Sequence, residues 1–272
     1  MIGNVGKIGL AVCAGFIVLA AVSLILPRMD IMYQPLYGTD PDIIGFSQPS
    51  GKHILGTDFM GRDLFSQLCA GAFTALWQGM WWSIFGVITL VVAAFVMAQV
   101  REETPQLEDT PTTRYVRFVA FPLGVMGLFL VFSLLLGAVL GRLSPANILL
   151  LAFFTGLTGL MAWLAVGHDI EVRFRKGERI PVKLLLSGAA LIISYTTIYY
   201  SFQSFLGLGD PSTVSWGMML QWCFTSGYTF KAPYWLLTPM ICVYVLSRGM
   251  LALGYGLYNT VSEKFFFIEG WF

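Results

Sequence analysis

IGLAVCAGFIVLAAVSLIL, residues Ile8 to Leu26, runs for nineteen positions without a charged side chain. Crossing the ~30 Å hydrocarbon core of a bilayer takes about 20 helical residues, so this stretch is long enough to span one. Five more apolar stretches of comparable or greater length follow: Ala75 to Val100, Tyr115 to Leu140, Asn147 to Val166, Val182 to Phe205 and Tyr234 to Tyr258. No water is present in hydrocarbon to satisfy backbone groups, and a helix satisfies them within the segment, so each stretch is read as a helix. The expected fold class is an all-α integral membrane protein with about six transmembrane helices. Lys7 ahead of the first run raises the alternative of a cleaved signal. The run exceeds a usual signal core and no small-x-small site directly abuts Pro27, so a retained helix is expected.

Composition supports the same class. Charged residues make up 11% and hydrophobic residues 57% of the chain, whereas soluble domains carry about 25% charge. A net charge of +1 leaves no field to hold a polyanion, which argues against a nucleic-acid partner. Cys13, Cys69, Cys223 and Cys242 form no C-x-x-C pair and read as small core hydrophobes.

Lys and Arg accumulate in cytoplasmic loops. With the N-terminus inside, Lys7, Arg101, Arg114, Arg117, Arg173, Arg175, Lys176, Arg179, Lys183 and Lys264 fall on the inner side. Arg28, Lys52, Arg62, Arg142 and Lys231 fall on the outer side, and Arg248 lies within the last span. The imbalance places both termini in the cytoplasm of a multi-pass cell-membrane protein. Two outer segments, Pro27 to Thr74 and Gly207 to Pro233, exceed simple turns and are expected to cover the outer face. In the second and at its edge, Trp216, Trp222, Tyr228, Tyr234 and Trp235 suit the membrane interface. Inside, Arg101 to Thr113 holds Pro105 and Pro111 and reads as an exposed turn, and Gly167 to Pro181 is short and basic. Residues 1–74 thus form a first helix with an outer-face segment, and 75–272 a transmembrane core.

The most informative outer stretch is HILGTDFMGRDLFSQLCAG, His53 to Gly71. Gly56 and Gly61 permit tight turns, Asp58 and Asp63 can cap helix N-termini, and Arg62 can tie a carboxylate or carbonyl with forked hydrogen bonds. That combination describes a rigid polar corner. A metal site of Asp58, Asp63 and His53 is the lesser alternative, and no metal is expected.

This stretch resembles the segment after the first transmembrane helix in the C-type inner-membrane permease subunits of dipeptide, oligopeptide and nickel ABC importers. The family pattern H-x-L-G-T-D-x-x-G-R-D meets His53, Leu55, Gly56, Thr57, Asp58, Gly61, Arg62 and Asp63. A second resemblance follows the fifth span. Ser204, Phe205, Leu206, Gly207, Leu208 and Gly209, then Pro211 and Ser215-Trp216-Gly217, look like the family's S-F-L-G-L-G and P-x-x-x-W-G segment, with one more residue here between Pro211 and Trp216. The resemblance implies a type I importer-permease bundle paired with a second, B-type permease subunit around a solute path. It also implies an extracytoplasmic solute-binding protein, two cytoplasmic ATPases and alternating access. The chain departs from the family between the fourth and fifth spans. Where such permeases carry a long segment with an E-A-A signature that grips the ATPase, this chain has only GHDIEVRFRKGERIP, Gly167 to Pro181.

Within that segment Arg173, Arg175, Lys176, Glu178 and Arg179 are either a contact for a cytoplasmic partner or a positive-inside anchor. Arg248, with Tyr195 and Tyr199, either lines a solute path or bonds to neighbouring helices. No catalytic residue or cofactor is expected. His53 and His168 are predicted on opposite sides, no G-x-S-x-G occurs, and no Walker lysine follows a glycine-rich loop. The leading expectation is a peptide-importer permease subunit. Its rivals are a former permease kept as a scaffold in a larger membrane complex, and a carrier working without ATPases. The aromatic tail, Phe265 to Phe267 with Trp271 and Phe272, suits burial against a partner or the interface.

Overall fold

A computed structural model describes residues 3–29, 33–35, 43, 45–103, 163–210 and 212–262. Four helices in it are long and apolar enough to cross a membrane. They are α1 (Asn4–Ile25), α2 (Leu64–Glu103, apolar through Gln99), α4 (Val182–Phe205) and α6 (Pro233–Tyr258). Two shorter α-helices are also described, α3 (His168–Arg175), entered through a single wide turn at Trp163–Gly167, and α5 (Trp216–Thr225), and a short 3-10 turn at Leu26–Met29 follows α1. Among the described residues there is no strand beyond an isolated bridge between Thr57 and Asp63. The chain is an all-α, multi-pass membrane protein. Of the six expected spans, Tyr115 to Leu140 and nearly all of Asn147 to Val166 lie outside the described residues, as do most of the 101–113 turn and the aromatic tail.

One boundary differs from the sequence reading. The second span was expected from Ala75, yet α2 starts at Leu64 and runs for 40 residues. At 1.5 Å per residue it is about 60 Å long, roughly twice the hydrocarbon thickness. Hydropathy marks only the part that lipid would tolerate. The leading stretch LFSQLCAGAFT is helical because Asp63 caps it and no Pro or consecutive Gly interrupts it.

The chain divides into two compact units. The first comprises Gly9–Gly79 and Thr197–Met250. In it α1 lies against α6: a β-carbon on Gly249 would strike Val12, and the Cys13 thiol sits 3.4 Å from the Met250 sulfur. Small residues that let helix backbones approach are the usual contact chemistry between membrane helices. The second unit comprises Met1–Ile8, Met80–Thr196 and Leu251–Phe272. Its core joins Leu90, Ala94, Trp163, Val166, Ile170, Leu184, Leu191, Leu251 and Tyr258. There the Ser187 hydroxyl donates to the Gly254 carbonyl at 2.8 Å, which fixes α4 against α6.

Candidate functional site

The His53–Asp63 corner is built by a tight reversal of the backbone. The Gly61 N–H donates to the Asp58 carbonyl (3.0 Å), and the Asp58 N–H donates to the Arg62 carbonyl (2.9 Å). This is a three-residue hairpin whose last turn position must be left-handed, and Gly61 supplies it at φ +80°. Gly56, at φ +76°, lies so close to the Ser47 carbonyl that no β-carbon would fit. Thr57 closes the base: its hydroxyl donates to the Gly45 carbonyl (2.9 Å) and accepts from the Ser47 N–H (2.8 Å).

Within this frame the two aspartates serve separate partners. Asp58 is fully buried and accepts four hydrogen bonds. One oxygen takes the N–H groups of Met60 (2.8 Å) and Arg62 (2.9 Å); the other takes Arg62 Nε (2.6 Å) and Gln67 Nε2 (2.9 Å). A buried carboxylate is tolerated when a cation and donors replace its lost water. Asp63 is the N-cap of α2. One of its oxygens accepts from the Ser66 N–H and hydroxyl, both at 2.7 Å, and the other faces His53 Nδ1 at 2.8 Å. His53 is itself fully buried, its ring 4.7 Å from that of Tyr33.

The second motif is seated on the same helix start. α4 ends at Phe205, where the Leu208 N–H reaches back to the Gln203 carbonyl and the Gly207 N–H to that of Ser204 (3.1 Å each). Gly207 holds the left-handed position that this closing motif requires. Ser215 caps α5 through the Met218 N–H (3.2 Å). Trp216, 1% exposed, then donates its indole N–H to the Leu68 carbonyl of α2 (2.9 Å). Its ring fills the space left by the missing side chain of Gly71, and Thr74 donates to the Val214 carbonyl (2.7 Å). Gly217 presses against the Ser201 carbonyl of α4, again with no room for a β-carbon. Finally, the Arg62 guanidinium carbon lies 4.0 Å from the centre of the Trp222 ring on α5. Stacking of this kind contributes about 0.5–2 kcal/mol, more where water is excluded. Two motifs about 150 residues apart in sequence therefore form one polar and aromatic joint.

Two aromatic expectations need correction. Trp216 and Trp235 were read as interfacial, but they are 1% and 0% exposed and pack inside the protein. Trp235 abuts Tyr228, which stacks on Phe46 at 4.5 Å. Hydropathy cannot tell an indole facing lipid headgroups from one enclosed by the fold, as Trp216 is with its N–H on the Leu68 carbonyl. Sequence reasoning also missed Gln67, Ser66, Gly71 and Trp222 as members of the joint. Ser66, three residues after Asp63, was the readable signal for the cap.

The basic segment folds as α3. Acidic Asp169 and Glu171 lie in its first turn and Arg173 and Arg175 in its last, the order that complements the helix dipole. Arg173 donates to the Val261 carbonyl (3.3 Å) and faces Glu178 at 3.4 Å; Lys176, Glu178 and Arg179 are exposed. Arg175 is half-buried. Asp169, unnoticed in the sequence, accepts a 2.5 Å hydrogen bond from the Tyr258 hydroxyl. Of the residues considered for a solute path, Tyr199 is buried and Arg248 half-buried in the first unit, while Tyr195 is half-buried in the second.

No family model matches the chain. Several curated proteins do. A Brucella suis protein named as a peptide transport system permease is 25% identical over 234 residues, covering 80% of this chain and 76% of its own length. A second, named as a peptide permease, is 27% identical over 252 residues, covering 86% and 80%. The nickel transport system permease protein of Escherichia coli is 26% identical over 235 residues, covering 72% and 74%. Over most of its length the chain is thus similar, at 25–27% identity, to proteins named as peptide and nickel transport permeases. These relatives carry the names of transporters and not of enzymes. In this chain the two motifs hold the starts of α2 and α5 together.

Proposed function

We propose that the chain is a transmembrane subunit of a dipeptide- or oligopeptide-type ABC importer, forming part of a solute path that works by alternating access. The observation that carries this reading is a likeness to transport permeases running through 72–86% of the chain, not through one motif alone. In this reading the protein sits in the inner or plasma membrane with both termini in the cytoplasm, as the Lys and Arg distribution favours. Residues 1–74 supply the first helix and outer joint, and 75–272 the core. The joint of Leu55 to Asp63 with Phe205 to Gly217 is a rigid outer-face brace. Arg248, Tyr195 and Tyr199 are the candidates for the path. A B-type permease subunit, an extracytoplasmic binding protein and two ATPases complete the machine, and the exposed edge of Lys176, Glu178 and Arg179 is the candidate ATPase contact.

Purification in mild detergent tests this directly. The expected companions are a second permease subunit and ATPases, and Lys176→Glu with Arg179→Glu should release the ATPases while the permease pair stays intact. Recovery of an unrelated membrane complex without ATPase would replace this reading with a scaffold role. A specific observation favours that rival: the segment that should grip an ATPase is an eight-residue helix, and Arg173 on it is engaged by its own chain.

A further inference from the structure

α3 is tied to the end of the last helix by three contacts of different chemistry. Ile170, fully buried, shares the apolar cluster with Tyr258, Leu184, Leu191 and Leu251. The Tyr258 hydroxyl donates to Asp169 at 2.5 Å. Arg173 donates to the Val261 carbonyl just beyond the helix. Tyr258 is the last residue of α6 and only 1% exposed, and its hydroxyl meets the Asp169 carboxylate there. On the other side of the segment, Lys176, Glu178 and Arg179 are exposed. One side is therefore held and the other is open to a partner.

We infer that the Asp169–Tyr258 hydrogen bond is a latch that makes α3 and the end of α6 one mechanical body. A force applied at Lys176 to Arg179 is then delivered to α6 and does not tilt α3 by itself. Coupling of this kind needs a contact present in one arrangement and absent in another, and the charge-assisted Asp169–Tyr258 hydrogen bond can be broken without dismantling the apolar core beneath it. Asp169 and Tyr258 are positioning residues in this scheme. The inference rests on the permease reading only for the identity of the load.

Hydrogen–deuterium exchange on the full chain, purified with whatever subunits it retains, tests the latch apart from that reading. Tyr258→Phe and Asp169→Ala should each raise exchange about tenfold or more in both 168–177 and 258–262, with no change in 45–66. The double variant should go no further than either single change, because both remove the same bond. Faster exchange in only one of the two segments, or in neither, overturns the latch. In preparations holding ATPases, trapping with ATP and vanadate should alter exchange in 258–262 of the wild type and not of Tyr258→Phe. A wild-type segment that ignores the trapped nucleotide overturns the load path. Absence of ATPases from every preparation counts against the permease reading and leaves the first comparison to decide the latch.

Discussion

Replacing Asp58 by alanine removes the one acceptor that serves four donors at once: two backbone N–H groups, Arg62 Nε and Gln67 Nε2. Arg62 is 5% exposed, so its charge would be left buried beside the Trp222 and Phe59 rings. Removing one partner of a buried ion pair costs about 3–5 kcal/mol, chiefly through the uncompensated charge. At roughly 2–4 °C per kcal/mol for a chain of this size, the unfolding midpoint should fall by about 10 °C. A thiol-reactive dye reports it well, because Cys69 and Cys223 are fully buried and become available only on unfolding. The decisive comparison is Asp58→Ala with Arg62→Met, which removes both charges and keeps an apolar stem against Trp222. That double variant should recover more than half of the lost stability. A single variant within 2 °C of wild type, or a double variant worse than the sum of its parts, would refute the account of the corner as a charge-balanced turn.

Asp63→Ala should cost less, about 1–2 kcal/mol for the lost cap together with the lost His53 contact, and exchange should rise first in the amides of Leu64 to Leu68. Gly71→Ala should displace the Trp216 ring and destabilise by about 1–3 kcal/mol, and Trp216→Leu in the same chain should restore part of the loss; an unrestored midpoint would mean that the ring is not what the β-carbon strikes. Burial pushes the Cys223 thiol up to about 11, while in the unfolded chain it ionises near 8.5. Its contribution is therefore complete below about pH 8.5 and is lost as pH rises toward 11. Cys223→Ala should flatten the fall of the midpoint over that window, and equal slopes would remove the thiol from the argument.

The membrane class and the four described spans were legible because hydrocarbon imposes a one-dimensional rule: a long enough run without charge, read along the chain, is a span. The start of α2 escaped that rule because Leu64 to Thr74 is helical for a different reason, a cap and its packing against α5. The turn chemistry of Gly56 and Gly61 was likewise readable, since only glycine enters the left-handed region without strain.

The partners of those turns were not readable from the chain. Asp58 and Asp63 look alike as aspartates that can cap a helix, yet one is spent on Arg62 and Gln67 and the other on α2 and His53. Trp216 reads as an interfacial aromatic until its N–H meets a carbonyl 148 residues away. Asp169 draws no notice until Tyr258, 89 residues later, closes on it. Local rules decide what a segment is, because propensity, capping and solvation act over a few residues. Which buried donor meets which acceptor depends on helices that are neighbours only in space, and the tertiary structure alone supplies that.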